Sequence, residues 1–118
     1  MKIHINSKII KVTEPLKKYV EEKIGSLSKI VERFEENGEV NVYLDLGREN
    51  KHHKSGDVYF VEANTELDGK LIRAEDKSDD IRKSIDEVKD ILTRDIRKEK
   101  EKEVDRKRKR ERPGKPKK

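Results

Sequence analysis

The chain has 118 residues, enough for one ordinary domain, and contains no cysteine. Disulfides, thiolate metal sites and cysteine nucleophiles are therefore excluded. No apolar run approaches the ~20 residues of a membrane-spanning helix, and the first residues lack the apolar stretch of a signal peptide. We expect a soluble protein of the cytoplasm.

Charge is distributed unevenly along the chain. Charged residues make up 48% of it, and 31 Lys or Arg against 26 Asp or Glu leave a net charge of +5. Residues 97–118 contain 13 basic and 5 acidic residues, whereas residues 1–96 contain 18 and 21. A slightly acidic body with a strongly basic end indicates a polyanionic partner, with nucleic acid favoured over a membrane.

The first two predicted elements are a short strand and an amphipathic helix. Residues 1–6 alternate in polarity, which is typical of a strand. Thr13 is placed as the N-cap of a helix of about 20 residues that ends at Asn37-Gly38, and Gly25 and Ser26 favour a bend within it. Its apolar stripe recurs every three or four residues and consists of Leu16, Tyr19, Val20, Ile24, Leu27, Ile30, Val31 and Phe34.

The middle of the chain is predicted to form three strands. Residues 40–46 alternate between apolar and polar side chains, as a half-buried strand does. Residues 47–57 (GRENKHHKSGD) are polar, with Gly near both ends, and are predicted to form a loop. A third strand follows over residues 58–67. Asp68-Gly69 is the favoured pair of a type I′ hairpin, so residues 70–75 are predicted to return antiparallel.

The last predicted element is a helix that begins at Ser78 or Asp79. Its apolar line is Ile81, Ile85, Val88, Leu92 and Ile96, with Ile91 beside it. From Arg97 to Glu103, alternating acidic and basic residues predict a helix that projects into solvent. Residues 104–118 cannot bury an apolar face and are predicted to be disordered. The domain therefore spans residues 1–103, and a basic tail spans residues 104–118.

These elements predict an α+β fold in the order β-α-β-β-β-α. Each helix has one apolar face, and one face of a four-stranded sheet can cover both helices. The second, third and fourth strands are expected to pair antiparallel in sequence order. The pattern leaves the partner of the first strand open, and a parallel pairing is possible because a helix separates it from the next strand.

The sequence shows no catalytic constellation. Its histidines are His4, which alternates with apolar strand residues, and the loop pair His52 and His53, which lacks a third ligand at a zinc-site spacing. The glycines form no phosphate-binding loop, and no acidic residue is placed in apolar surroundings. We predict that the chain is not an enzyme and holds no metal or cofactor.

The densest cationic segment is the end of the second helix and the tail. Arg94, Arg97, Lys98, Lys100 and Lys102 occupy consecutive turns, and residues 106–110 (RKRKR) follow. Such a cluster repels itself unless an anion is near, and phosphate backbone is the commonest partner. A membrane surface would require large apolar residues opposite the charges. The fold matches no DNA-reading motif and suits structured RNA better.

Four segments of the sequence resemble a known family, the ribosome hibernation-promoting factors and ribosome-associated inhibitors, formerly called sigma-54 modulation proteins. The resemblance covers about residues 1–107 in order. It is carried by residues 13–16 (TEPL) with Tyr19, Val20 and Lys23, by residues 61–62 (VE) and 68–75 (DGKLIRAE), by residues 79–81 (DDI), 84–86 (SID) and 92–100 (LTRDIRKEK), and by residues 104–107 (VDRK).

The resemblance implies binding to 16S rRNA of the small ribosomal subunit, in the cleft where mRNA and the A- and P-site tRNAs pass. It implies inhibition of translation under stress or in stationary phase, by a short form or by the first domain of a long form. Such a chain would be a monomer off the ribosome and would not dimerise ribosomes unaided. The predicted RNA-binding residues are Lys23, Lys89, Arg94, Arg97, Lys98, Lys100, Lys102, Arg106 and Lys107.

The sequence departs from the family pattern within this segment. Asp95 and Glu99 stand where the family commonly has Gln and His, so two acidic residues are expected in the RNA-facing segment. Ile91 and Arg82 stand where Lys and Tyr are frequent. Two other functions are also compatible with the pattern: a general double-stranded RNA-binding or RNA-chaperone module, and a protein-interaction domain that acts on a transcription factor.

Overall fold

A computed structural model of the chain describes residues 1–51 and 56–111. The elements follow in the predicted order β-α-β-β-β-α. The strands are β1 (Lys2–Ser7), β2 (Asn41–Lys51), β3 (Gly56–Leu67) and β4 (Lys70–Ser78), and the helices are α1 (Glu14–Gly25) and α2 (Ile81–Glu111). The loop histidines His52 and His53 lie outside the described residues.

The four strands form one mixed sheet in the order β1-β2-β3-β4. Strand β1 runs parallel to β2, with Ile3 opposite Val42, and this pairing settles the alternative that the pattern left open. The β2–β3 and β3–β4 pairs are antiparallel, as predicted. Helix α1 provides the crossover that a parallel β1–β2 pair requires.

The β3–β4 hairpin turns at the predicted residues. Leu67 pairs with Lys70, so Asp68 and Gly69 are the two turn residues. Both have positive φ, 50° at Asp68 and 84° at Gly69, as a type I′ turn demands. Glycine is needed at the second position because a Cβ there would make this backbone conformation costly.

Both helices cover the same face of the sheet, and one core lies between them. Val42 and Leu44 of β2 and Val61 and Ala63 of β3 are buried on this face, which confirms the predicted alternation. From the helices, the core receives Leu16, Val20 and Ile24 of α1 and Ile85, Val88, Leu92 and Ile96 of α2.

Helix α1 is shorter than the predicted element of about 20 residues. It ends at Gly25, and the chain continues as two 3₁₀ segments, Ser26–Ser28 and Glu32–Asn37. The Ser26 hydroxyl donates to the carbonyl of Lys23 at 2.6 Å, a side-chain bond that competes with helix propagation. The apolar stripe is nevertheless buried through Phe34, because a 3₁₀ turn also returns side chains to one face every three residues.

The predicted loop over residues 47–57 is wrong for most of its length. Strand β2 continues to Lys51 and β3 begins at Gly56, with Arg48 opposite Tyr59. Ladder hydrogen bonds depend on the backbone and not on apolar side chains, so a polar sequence can extend a hairpin beyond the core. Arg48 and Asp57 approach to 3.9 Å across this extension.

Helix α2 begins later and ends later than predicted. Its first residue is Ile81, because β4 continues to Ser78 and the carboxylate of Asp80 accepts the backbone N–H of Arg82 at 3.0 Å. The helix extends to Glu111, so the predicted disorder is wrong for residues 104–111. Glu, Lys and Arg have high helix propensity, and Arg106 pairs with Glu99 and Glu103 across the turns.

We predict that Gly69→Ala lowers the free energy of unfolding by about 1–2 kcal/mol, the cost of the left-handed conformation for a residue with a Cβ. Chemical denaturation measures the change. Gly25→Ala is the matched control, because Gly25 has an ordinary φ of −61° and open space around an added Cβ. Equal effects of the two substitutions would contradict the turn geometry.

Candidate nucleic-acid interface

The basic end of α2 is held in a fixed orientation by the apolar line of the same helix. Ile85, Val88, Leu92 and Ile96 are fully buried and follow one side of the helix. At about 100° per residue, the remaining positions of the same turns must face outward or sideways. Helix α2 therefore carries its basic side chains in fixed directions, and the packing of the core sets those directions.

The predicted cations lie on three sides of α2. Lys89 and Lys100 lie on the flank of α2 that faces α1, and Lys23 lies on α1 itself. Arg94 and Arg97 lie on the crest of α2, which points away from the sheet. Lys98 and Lys102 lie on the flank toward β4 and line a cleft with it. By the same rotation Lys107 lies on the α1 flank and Arg106 close to the sheet.

Several of these cations already have acidic neighbours. Lys89 lies 3.8 Å from Asp90 and Arg94 lies 3.6 Å from Asp95. By contrast, no carboxylate oxygen of the described residues lies within 4.0 Å of the side-chain nitrogens of Arg97, Lys98, Lys100 and Lys102. These four side chains are the ones best placed to accept phosphates as partners.

A cleft of about 410 Å³ separates the β4 flank of α2 from strand β4. Lys98 and Lys102 line it from the helix, and Lys70 and Arg73 line it from the strand. Sequence pattern did not point to Lys70 and Arg73, because they lie 25 to 32 residues away from Lys98 and Lys102 along the chain. The packing of α2 beside β4 brings the two pairs together.

Glu99 lies within the segment of α2 that carries the predicted RNA-binding residues, but its side chain points into the domain, away from the exposed cations. Its side chain is only 6% exposed and lies 3.6 Å from Lys70 and 3.3 Å from Arg106. A buried carboxylate requires such partners, since burial without them is costly. Glu99 thus links α2 to the start of β4. Asp95 is half-buried and lines the cleft, where it pairs with Arg94.

A second acidic contact lies where α2 passes the hairpin turn. Burial raises the pKa of the Asp68 carboxyl, and the neighbouring Glu103 carboxylate raises it further, while Arg106 opposes this shift. Ionised Asp68 is therefore less favourable in the folded chain than in the unfolded chain. This contact weakens the attachment of the helix end as the pH rises above the pKa of Asp68.

A hydrogen-bonded cluster joins the α1 flank of α2 to helix α1. The Tyr19 hydroxyl donates to Asp86 at 2.6 Å, which raises the pKa of Tyr19 to about 12. The Arg82 guanidinium lies 4.7 Å from the centroid of the Tyr19 ring, a cation–π distance. Lys23 lies 3.9 Å from Asp86, so this predicted RNA-binding cation is partly neutralised.

The remaining candidates lie away from the basic helix. His4 is exposed on the opposite face of the sheet, as predicted, and its ring stacks on Tyr43 with centroids 4.6 Å apart. Within residues 1–51 and 56–111, no group of three or more His, Asp or Glu is arranged to hold a metal ion. None of the helices in those ranges has the length and apolar character needed to cross a membrane.

Fold and site together define a small α+β domain with an exposed basic helix. The sequence model of the family described as sigma 54 modulation protein / S30EA ribosomal protein matches residues 3–104, and the chain belongs to that family. This confirms the resemblance of its sequence motifs.

Two curated relatives are both named ribosome hibernation promotion factor. A ribosome hibernation promotion factor of Lactococcus lactis subsp. cremoris is 36% identical over 100 residues, which are 85% of this chain and 50% of that protein. One of Deinococcus radiodurans is 28% identical over 94 residues, 80% of this chain and 46% of that protein. The chain thus spans about half the length of the curated relatives it matches.

Solved structures support the fold. A ribosomal subunit interface protein from Coxiella burnetii superposes with a TM-score of 0.66 at 24% identity, covering 85% of this chain and 98% of that one. The N-terminal domain of Thermus thermophilus Protein Y gives a TM-score of 0.62 at 25% identity, covering 82% and 93%.

We predict that Asp68→Asn raises the free energy of unfolding at pH 7, by less than about 1 kcal/mol, the scale of exposed charge pairs. The reason is that Asn removes the unfavourable charge beside Glu103 and still tolerates positive φ. The gain should disappear as the pH falls through the raised pKa of Asp68, since the native residue is then neutral too. Urea unfolding between pH 7 and pH 3 measures this, and a gain independent of pH would contradict it.

Proposed function

We propose that this chain is a ribosome-associated factor that binds 16S rRNA of the small subunit in the path of mRNA and the A- and P-site tRNAs. In that position it inhibits translation, under stress or in stationary phase. The observation that carries the proposal is the arc of unneutralised cations on α2, held by the core at a fixed angle. Family membership and the names of the relatives support association with the ribosome.

The geometry suits folded RNA because it is rigid and contains few stacking groups. Cations on three sides of one helix can contact phosphates of several RNA segments at once, as in a narrow cleft between RNA helices. Among the described Phe and Tyr residues, Tyr43 has the most exposed side chain, at 51%. It lies on the face of the sheet opposite the helices. Base stacking is therefore a minor contribution on the helix side, and affinity rests on phosphates.

The cleft between α2 and β4 extends this surface beyond the helix. Lys98 and Lys102 face Lys70 across it, and the Glu99 carboxylate, which lies 3.6 Å from Lys70, neutralises part of the charge. A phosphate backbone that follows the cleft would contact cations of both elements. We assign Lys70 to the RNA-binding surface on this basis, beside Arg97, Lys98, Lys100 and Lys102. Arg73 is not included, because its guanidinium is bound to Glu62.

We predict that the triple variant Arg97→Glu, Lys98→Glu, Lys102→Glu binds small subunits at least tenfold more weakly at about 100 mM salt, since a charge-assisted phosphate contact contributes roughly 1.5–3 kcal/mol. All three side chains are exposed, so the fold should be retained. Co-sedimentation across a salt series measures affinity. The slope of log affinity against log salt should fall by about 2–3, given a loss of 0.7–0.9 per phosphate contact.

The matched control reverses Lys17, Lys18 and Lys29, which are exposed on α1 and in the turn that follows it. The net charge changes by the same amount, so an equal loss in the control would reduce the interaction to unspecific attraction. Wild-type protein should bind one copy per small subunit and be displaced by initiator tRNA. Equal affinity for any RNA duplex would instead favour the general double-stranded RNA-binding module.

A further inference from the structure

One whole face of the sheet remains uncovered by the helices. Alternation along the strands places a set of polar and aromatic side chains on this outer face, and no described helix packs on it. Exposed apolar groups are present, with Tyr43 and Leu71 51% and 62% exposed and Ile9 61% exposed at the edge. An open face with such groups is a candidate for contact with another molecule.

Phe60 is the central feature of this face. It lies opposite Gly47 across the β2–β3 pair, and a Cβ added at Gly47 would overlap the Phe60 ring. The far end of the ring therefore occupies the space above Gly47 that a side chain would fill, and Phe60 is half-buried. A glycine at this position keeps an aromatic platform on the surface of the sheet.

A cleft lies on each side of the platform. The first, of about 390 Å³, is lined by Asn6, Lys8, Ile9, Asp45, Leu46, Gly47, Phe60 and Glu62. The second, of about 330 Å³, is lined by Phe60, Val61, Glu62, Glu75, Asp76 and Lys77. Each cleft combines the Phe60 ring with two or more carboxylates and one lysine, which is Lys8 in the first cleft and Lys77 in the second. An aromatic ring beside a carboxylate is the arrangement that binds guanidinium and ammonium groups.

The charge of this face is opposite to that of α2. Among the side chains that the structure describes there, acidic residues outnumber basic ones by five to four: Asp45, Glu49, Glu62, Glu66 and Glu75 stand against Lys2, Lys8, Arg73 and Lys77. Glu62 is occupied, since Arg73 Nε donates to it at 3.1 Å. Asp45 and Glu75 have no Lys or Arg nitrogen within 4.0 Å among the described residues.

We propose that the outer face of the sheet binds an extended, arginine-rich segment of another protein, whose basic side chains enter the two clefts beside Phe60. Charge complementarity selects this occupant, because RNA phosphates would be repelled by the same carboxylates. The proposal goes beyond RNA binding by α2, and the two surfaces lie on opposite sides of the sheet. Both can therefore be occupied at once.

The spacing of the clefts defines the segment further. The first cleft lies over β1 and β2 and the second over β4, so they are separated by about two strand spacings, or ~10 Å. An extended peptide advances about 3.3 Å per residue, so basic residues three positions apart would fill both clefts. A peptide with arginine at every third position is the probe of choice.

The experiment measures binding of a fluorescent peptide of four Gly-Arg-Ser repeats to the full chain by fluorescence anisotropy. The double variant Asp45→Asn, Glu75→Gln should weaken binding at least fivefold, because it removes from each cleft one carboxylate that has no salt bridge to Lys or Arg among the described residues. The matched control, Glu21→Gln with Glu22→Gln, removes two exposed carboxylates of α1 and should stay within twofold of wild type. Equal losses in the two variants would overturn the proposal.

A second pair of variants tests the platform itself. Gly47→Ala displaces the Phe60 ring and should also weaken peptide binding, whereas Gly25→Ala adds the same methyl group in open space and should not. Thermal unfolding first establishes that both variants are folded. Full binding by folded Gly47→Ala would contradict the role of the ring.

Two further measurements separate this proposal from RNA binding. A peptide of four Gly-Glu-Ser repeats should not bind, and duplex RNA should shift backbone amide resonances of α2 and not those around Phe60. RNA-induced shifts centred on Phe60 would replace the peptide proposal with an RNA surface. Because the Asp45 and Glu75 substitutions leave α2 intact, the double variant should retain ribosome co-sedimentation.

Discussion

The burial of one apolar line of α2 against the sheet is the constraint on which the rest of the structure depends. Ile85, Val88, Leu92 and Ile96 are fully buried there, so the rotation of the helix about its own axis is fixed. Burying such side chains contributes about 1.5–3 kcal/mol each, far more than any exposed ion pair. Core packing thus decides which charged residues point outward, and electrostatics acts within that arrangement.

Within this arrangement two acidic residues of α2 point away from its exposed cations. Glu99 turns inward and links the helix to Lys70 and Arg106, and Asp86 turns toward Tyr19 of α1. These two carboxylates connect the helix to its neighbours and leave Arg97, Lys98, Lys100 and Lys102 without a salt bridge among the described residues.

The domain consequently has two surfaces of opposite character on one sheet. The helix-covered side presents cations, and the uncovered side presents carboxylates around the Phe60 ring. Because the sheet separates them, a ligand on one side does not compete for the residues of the other. The sheet also keeps the basic side chains of one side apart from the carboxylates of the other. In a domain this small, the two sets of charges would otherwise neutralise each other.

The sequence by itself determined the order of the elements, the hairpin at Asp68-Gly69 and the apolar lines, because these depend on periodicity and local backbone preference. It also located most of the cations of α2. Only the tertiary structure decided that β1 pairs parallel with β2, that Glu99 points inward and that Lys70 lies beside the cleft lined by Lys98 and Lys102. Those outcomes depend on contacts between residues distant along the chain, and local pattern carries no information about such contacts.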